Sequence, residues 1–154
     1  MDIRFYKPTV ADIPKMQEIV KEEVQSGKIL LRTEDEMATT IRSYTVVKVN
    51  DKIAGFTATH IHSPRLAEVR SLVVAKEFRG LKLGKQLVEA CIKEAKEYGI
   101  KQLLSLTYEQ GFFESCGFRV ISKEEIPEHK IWADCIRCKH FPICDEIAMV
   151  YDLL

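Results

Sequence analysis

The sequence of 154 residues predicts a single α/β domain in which one mixed β-sheet is flanked by helices. Three observations lead to this prediction. Apolar residues recur with helical spacing in several stretches, β-branched residues fill the stretches between them, and short polar turns separate the two kinds. A chain of this length can bury a core without help from a metal or a disulfide. We see no internal repeat or low-complexity linker, so one domain is expected to span residues 1–154.

The N-terminal part is expected to form one strand and two helices. Residues 2–6 alternate as a strand does, and residues 9–12 then resemble a capping box that opens a helix ending at Gly27. Residues 33–36 have the same capping pattern and predict a second, short helix. The Leu-Leu-Arg stretch at residues 30–32 therefore lies in the loop between the two helices.

The middle and C-terminal parts predict the rest of the sheet. Three β-branched stretches joined by short turns indicate an antiparallel meander. These strands span residues 44–49, 53–62 and 66–75. From Leu83 the apolar spacing changes to that of a helix, which ends near Gly99. A buried strand, a short helix closed by Gly117 and two more strands complete the predicted order.

The charge balance and the apolar runs exclude several classes of protein. Lys plus Arg and Asp plus Glu number 23 each, which removes the general attraction to nucleic acid or anionic membranes that a basic chain has. No apolar run approaches the roughly 20 residues of a membrane-spanning helix, and the N-terminus lacks a signal-peptide pattern. We expect a soluble cytoplasmic protein without a nucleic-acid or membrane partner, and a homodimer is the default expectation for its assembly.

Residues 79–85, RGLKLGK, lie between a predicted strand and a predicted helix. The first N–H groups of a helix lack partners and carry partial positive charge, so a glycine-containing turn there can bind phosphate. Gly80 and Gly84 allow the main chain to approach an anion closely. Positive charge comes from Arg79, Lys82 and Lys85. The pattern is neither a Walker loop nor a G-x-G-x-x-G fingerprint, so nucleotide hydrolysis and NAD are poorly supported.

This turn resembles the signature of the GNAT superfamily of acetyl-CoA-dependent N-acetyltransferases, Arg/Gln-x-x-Gly-x-Gly/Ala. Arg79, Leu83 and Gly84 match, whereas Lys82 replaces the central glycine; a negative φ there would still let the lysine present its N–H. The stretch FFESCGF resembles the family's short helix that ends in Gly-Phe. The resemblance implies a GNAT-like fold and acetyl-CoA as co-substrate, its diphosphate held by main-chain amides. The implied cofactor-binding residues of this turn are Arg79, Gly80, Leu81, Lys82, Leu83, Gly84 and Lys85.

Further stretches are similar to the short-form N-acetylglutamate synthases, which are amino-acid N-acetyltransferases of arginine biosynthesis. They are LLR, AEVRSLVV, LTYEQGFFESCGF and IWADCIRCKHFPICDEIAMV. This resemblance implies an acceptor amine on glutamate or a similar amino acid. Bidentate arginine suits the carboxylates of such an acceptor, and Arg32 and Arg70 are the candidate substrate-binding residues. An ordinary surface ion pair is the alternative for each.

Acetyl transfer from a thioester needs a neutral amine, so a base must deprotonate the acceptor ammonium. Residues 68, 70, 72 and 74 share one face of a regular strand, which makes Glu68 the candidate base, acting directly or through water. His60 and His62 on the adjacent strand are alternatives, and a plain ion pair with Arg70 is the competing interpretation.

The reaction also needs a polarised carbonyl and a proton for the leaving thiolate. The resemblance assigns the first task to a backbone N–H in the strand before the turn, at Leu72, Val73 or Val74. Phe113 occupies the position where many family members have a tyrosine acid. Tyr108 is the candidate acid instead, because a phenol with its usual pKa of about 10 is protonated at neutral pH. Packing alone is the alternative role for Tyr108.

The chain has five cysteines, which do not form a secreted disulfide framework. Cys91 is expected in the core and Cys116 at the unfavourable end of a short helix, so direct transfer in a ternary complex is preferred to an acyl-cysteine route. Cys135, Cys138 and Cys144 have spacing that suits a structural zinc site in an insert at residues 135–144. His129, His140 or Asp145 is the candidate fourth ligand, and reduced cysteines without a metal are the alternative.

Two other functions stay open at this point. One is a GNAT enzyme that acetylates a polyamine, an antibiotic or a protein N-terminus. The other is a non-catalytic sensor of acyl-CoA or amino acids, which the phenylalanine at position 113 keeps open.

Overall fold

A computed structural model describes residues 1–126 and 146–153 of the chain. It contains a seven-stranded mixed sheet flanked by helices, which confirms the predicted fold class. The strands are β1 (Ile3–Tyr6), β2 (Tyr44–Val49), β3 (Lys52–Ile61), β4 (Leu66–Val74), β5 (Gln102–Thr107), β6 (Arg119–Ile121) and β7 (Ile147–Asp152). The helices are α1 (Ile13–Gln25), α2 (Glu34–Thr39), α3 (Leu83–Glu97) and α4 (Gln110–Ser115). The predicted metal ligands Cys135, Cys138 and Cys144, with His129, His140 and Asp145, lie outside the described residues.

The strands are arranged in the order β1-β2-β3-β4-β5-β7-β6. All neighbouring pairs are antiparallel except β4 and β5, which are parallel. The antiparallel meander predicted for β2, β3 and β4 is therefore confirmed. The last strand of the chain lies between β5 and β6, where it joins the short β6 to the rest of the sheet.

The capping pattern before α2 is present as predicted. The Thr33 hydroxyl accepts a hydrogen bond from the Glu36 N–H at 3.1 Å, and the Thr33 N–H donates to the Glu36 carboxylate at 3.1 Å. At α1, a short 3₁₀ turn precedes the helix, which begins at Ile13 rather than after Thr9. In residues 1–126 and 146–153, no helix is both long enough and apolar enough to span a bilayer.

Two layers of side chains cover the sheet. On one face, α1 and α2 bury Ile13, Met16 and Met37 against the centre of the sheet. On the other face, α3 buries Leu87, Val88 and Cys91. The buried sheet residues of the first layer are Tyr44, Val46, Ile53, Phe56, Ala58 and Val73, and those of the α3 layer include Val47, Ala54, Ala67, Val69 and Leu103.

Strand β4 contains a bulge at Ser71. Ser71 has a φ of +55°, and the pairing with β3 slips between Phe56 and Ala58. The Thr57 hydroxyl donates a 3.0 Å hydrogen bond to the carbonyl of Arg70, which holds the strand at this point.

The bulge reverses the alternation of β4, which corrects a sequence-based expectation. In a regular strand, odd-numbered and even-numbered residues face opposite sides of the sheet. In β4, however, Val69 packs in the α3 layer, and so do Leu72 and Val74. Glu68 and Arg70 therefore share one face, whereas Leu72 and Val74 lie on the other. The prediction that all four share a face was wrong because it assumed a regular strand.

Strands β4 and β5 separate after a short paired segment. Their pairing runs from Leu66 with Gln102 to Glu68 with Leu104. Beyond Glu68, β4 continues to Val74 beside β3, and β5 continues to Thr107 beside β7. The divergence opens the sheet on the C-terminal side of Glu68.

Candidate active site

A cavity of about 350 Å³ lies where β4 and β5 diverge. Its walls come from β4, β5, the end of α1, the loop before α2, and the segment that leads into α4. Among the sequence-predicted site residues, those that line it are Arg32, Glu68, Arg70, Leu72, Arg79 and Tyr108. Val73, Val74 and residues 80–85 do not line it. We call residues 79–85 the donor turn, and Arg32, Glu68, Arg70 and Tyr108 the acceptor side.

Glu68 lies at the branch point of the two strands and is buried, with 6% of its side chain exposed. Its Oε1 atom is 2.9 Å from Nε2 of His62 and 3.4 Å from Nε of Arg70. His60, the cross-strand partner of Glu68, stacks edge-on against His62 with ring centroids 4.7 Å apart. The candidate base and both histidine alternatives therefore form one polar cluster beside the cavity.

The two candidate arginines lie near the same space. Arg32 and Arg70 both line the main cavity and also a second cavity of about 130 Å³. The other residues of this smaller cavity are Glu36, Thr39, Thr40, Ser43, Tyr44, Ala58 and His60. Burial raises the pKa of the Tyr44 phenol, and the positive charges of Arg32 and Arg70 oppose that shift. Both guanidinium groups therefore act electrostatically on one point of the cavity wall.

Tyr108 and Phe113 have different surroundings. Tyr108 directly follows β5 and lines the main cavity. Phe113 is buried in the core, where its ring packs edge-on against Phe112 and Phe118 with centroid distances of 5.1 Å. The phenylalanine at this position supports the core, and Tyr108 lines the cavity together with Ser71, Ser105 and Thr107, which also carry hydroxyl groups.

The donor turn places a helix N-terminus at the surface. Arg79 N–H donates to the Lys76 carbonyl, and Gln86 N–H donates to the Lys82 carbonyl, each at 3.3 Å. Within the described part of the chain, the amides between Arg79 and Gln86 make no main-chain hydrogen bond. Unpaired amides at the start of a 15-residue helix are the arrangement that binds anions.

Lys82 is the N-cap of α3 and has a left-handed conformation, with φ of 60° and ψ of 26°. The negative φ that was considered for this lysine is not the conformation that it adopts. The turn needs the left-handed conformation in which a glycine is unstrained, and lysine adopts it at a cost of about 1–2 kcal/mol. Gly80 is also left-handed, with φ of 92°. The side chains of Lys82 and Lys85 are exposed at the rim.

Arg79 connects the donor turn to α1. Its Nε donates to the Val74 carbonyl at 3.1 Å, and its Nη2 donates to Glu23 Oε1 at 3.3 Å. Lys76 and Glu22 form a second link at 2.8 Å. Glu22 and Glu23 were not predictable from the sequence, because each lies more than 50 residues from its partner and no local pattern connects them.

The described cysteines are poor nucleophiles. Cys91 is buried under α3, and burial raises the pKa of its thiol to about 11. Burial also raises the pKa of the Cys116 thiol. Both thiols are therefore protonated at neutral pH. In residues 1–126 and 146–153, no three His, Cys, Asp or Glu side chains are grouped as a metal site would need.

Comparison with known proteins agrees with this geometry. Residues 13–118 match the sequence profile of the acetyltransferase (GNAT) family. The chain is also 35% identical over 144 residues to the uncharacterized N-acetyltransferase CT2212 of Chlorobaculum tepidum, covering 94% of this chain and 92% of that protein. The chain belongs to the GNAT acetyltransferase family, and its predicted assignment to the GNAT N-acetyltransferases is confirmed.

Some more distant relatives have names that state a substrate class. The amino-acid acetyltransferase of Pasteurella multocida is 28% identical over 124 residues, which is 79% of this chain but 28% of that protein. The N-acetylglutamate synthase of Neisseria gonorrhoeae was solved with coenzyme A and N-acetyl-glutamate. It superposes on this chain with a TM-score of 0.87 at 20% identity, and the match covers 100% of this chain and 36% of the synthase chain. Rv2747 of Mycobacterium tuberculosis, solved in complex with CoA, has a TM-score of 0.82 at 21% identity, and the match covers 98% of this chain and 99% of Rv2747. These structural likenesses show the fold.

Proposed function

We propose that the chain transfers the acetyl group of acetyl-CoA to the α-amine of glutamate or a similar amino acid, directly within a ternary complex. The observation that carries the proposal is the cavity at the branch of β4 and β5, which is lined by a buried carboxylate and two arginines. The distant relatives named amino-acid acetyltransferase support this substrate class. The first step of arginine biosynthesis, in the cytoplasm, is the role that the resemblance implies.

In this proposal the diphosphate of acetyl-CoA binds at the donor turn. Gly80 and Lys82 are left-handed, a conformation found in loops whose successive amides bind one anion, and Lys85 adds charge. The thioester then reaches the strand ahead of the turn, where an N–H of Leu72, Val73 or Val74 polarises its carbonyl. The bulge at Ser71 supports this assignment because it interrupts the regular pairing directly before Leu72.

On the acceptor side, Arg70 and Arg32 bind the carboxylates of the amino acid. Glu68 takes a proton from the ammonium group, directly or through water. The neutral amine attacks the thioester carbon, the C–N bond forms, and the C–S bond breaks. Tyr108 gives its proton to the departing CoA thiolate, and the phenolate takes up the second proton that the nitrogen loses as the amide forms. No acyl-cysteine is needed, which agrees with the raised pKa of the Cys91 and Cys116 thiols.

The test is the release of free CoA thiol from acetyl-CoA in the presence of each common amino acid, spermidine or a short peptide. We expect release with glutamate and its loss in Arg70→Ala. Arg65→Ala is the matched control, because Arg65 is exposed on the hairpin before β4 and lines none of these cavities. Release only with polyamines or peptides would overturn the substrate class, and no release with any amine would favour a sensor.

The structural zinc site stays a separate proposal. Cys135, Cys138 and Cys144 have suitable spacing, and the transfer chemistry does not depend on them. Metal analysis of protein purified under reducing conditions should find about one zinc per chain, lost in Cys138→Ala but retained in Cys116→Ala. Absence of zinc from the wild-type protein would leave the reduced-cysteine alternative.

A further inference from the structure

His62 reaches Glu68 through the tight connection between β3 and β4. The His62 N–H donates to the Leu66 carbonyl at 2.9 Å, and the Leu66 N–H donates to the Ser63 hydroxyl at 3.1 Å. This turn brings the imidazole Nε2 to 2.9 Å from Glu68 Oε1. The side chains are 3% and 6% exposed, so the pair is almost completely removed from water.

A carboxylate buried to this degree must be hydrogen-bonded, since an isolated buried charge costs several kcal/mol. Within the described residues, Glu68 Oε1 contacts His62 at 2.9 Å and Arg70 at 3.4 Å. The histidine contact has the better distance, whereas that of the arginine is near the limit of a hydrogen bond. His62 therefore makes the stronger of the two contacts that hold this oxygen.

We infer that His62 is a positioning residue for Glu68: its Nε2–H holds Oε1 and fixes the carboxylate at the cavity wall, where it receives the proton of the acceptor amine. The inference rests on the proposed role of Glu68 as the base. It also separates the tasks of the two donors. His62 holds the base, and Arg70, whose guanidinium has five N–H donors, binds a substrate carboxylate.

The ring of His62 is itself held in place. His60 packs edge-on against it at 4.7 Å, and His60 is the cross-strand partner of Glu68. The tautomer that this arrangement requires carries its proton on Nε2. In the described part of the chain, the charged and titratable groups that contact Glu68 or line its cavity come from several elements. They are His60 and His62 of the β3–β4 hairpin, Arg70 of β4, Glu23, Lys28 and Arg32 of α1 and its following loop, Arg79, Tyr108, Glu109 and Glu146.

The test compares His62→Leu with His62→Gln, because the glutamine amide can replace the Nε2–H donor and leucine cannot. We expect kcat to fall by about 10- to 100-fold in His62→Leu and by less than about fivefold in His62→Gln, with KM for acetyl-CoA unchanged in both. The acidic limb of the pH profile of kcat/KM should move to higher pH by about half to one unit in the leucine variant alone. Removing a donor from a carboxylate disfavours its charged form.

Thr59→Val is the matched control. Thr59 is a buried polar residue of β3, the strand that ends directly before His62. It contacts Cys91 rather than Glu68, and its replacement should leave the pH profile in place. A second measurement needs no turnover: a ¹³C NMR titration of the side-chain carboxyls, with the Glu68 signal assigned from Glu68→Gln, should give a higher midpoint for Glu68 in His62→Leu than in wild type.

The outcomes separate the inference from the proposed function. If Glu68→Gln keeps the wild-type rate, the base role fails and the inference fails with it. If Glu68→Gln is inactive but folded His62→Leu keeps the wild-type rate, pH limb and titration midpoint, only the inference fails. An equal loss of kcat in folded His62→Gln and folded His62→Leu would also overturn the inference, because the loss would then not depend on the hydrogen bond to Glu68.

Discussion

The donor turn and the acceptor side of the cavity differ in what they are made of. The donor turn is one continuous stretch of seven residues at the start of a helix, and its donors are main-chain amides. The acceptor side is assembled from β4, the loop before α2 and the segment after β5, and its groups are side chains. A site made of amides tolerates changes of side chain, such as lysine for glycine at position 82. A site made of side chains depends on individual residues and on strand register.

The largest effect should come from Glu68→Gln. This substitution keeps the shape of a buried side chain but removes the proposed base, so kcat should fall by about 10²- to 10⁴-fold. The dissociation constant for CoA, measured by calorimetry, should change by less than about twofold because the donor turn is separate. A variant that keeps a third or more of the wild-type kcat would contradict the role given to Glu68.

Arg70→Ala should raise KM for glutamate by about 10- to 100-fold, since a charge-assisted hydrogen bond contributes about 1.5–3 kcal/mol. Initial rates at varied glutamate and saturating acetyl-CoA measure this change. Arg70→Lys should recover part of the affinity, because it keeps the charge but loses the bidentate geometry. An equal rise in KM for acetyl-CoA would mean that the two regions are not independent.

On the donor side, Gly84→Asp should raise the dissociation constant for CoA about tenfold, because it adds a negative charge to the first turn of the helix at which the diphosphate is proposed to bind. Gly84→Ala is the control for the added Cβ, which would be 3.4 Å from the Phe112 ring and should have a smaller effect. Calorimetry with CoA measures both. Equal affinities of the two variants would argue against a diphosphate at this helix start.

The smallest effect should come from Lys82→Gly. Glycine adopts the left-handed conformation of the N-cap without strain, which stabilises the folded protein. Its greater freedom in the unfolded chain offsets part of this gain, so the free energy of unfolding should rise by about 0.5–1 kcal/mol. Urea denaturation measures it. Lys82→Ala removes the same charge while keeping the strain, and it should give no such gain. An equal gain in both variants would assign the effect to the charge of the lysine.

The order of elements, the meander and the cap at Thr33 follow from patterns within a few residues, and these were predictable from the sequence. The place of β7 between β5 and β6 was not, because strand order depends on contacts between distant segments. The left-handed conformations of Ser71 and Lys82 were also not predictable, because neither position has the glycine that usually indicates a positive φ. The contact of His62 with Glu68 had a partial signal, since the Ser63-Pro64 break indicates a hairpin that brings their strands together.

For protein engineering, the bulge at Ser71 means that the length of β4 matters as much as its composition. A one-residue deletion there would restore simple alternation, so that the segment leading to Val74 would rotate by half a turn relative to Glu68. Chimeras that exchange this strand with one from another acetyltransferase should therefore keep the residue count between Ala67 and Val74. Libraries intended to change the accepted amine are better confined to the connecting segments around it.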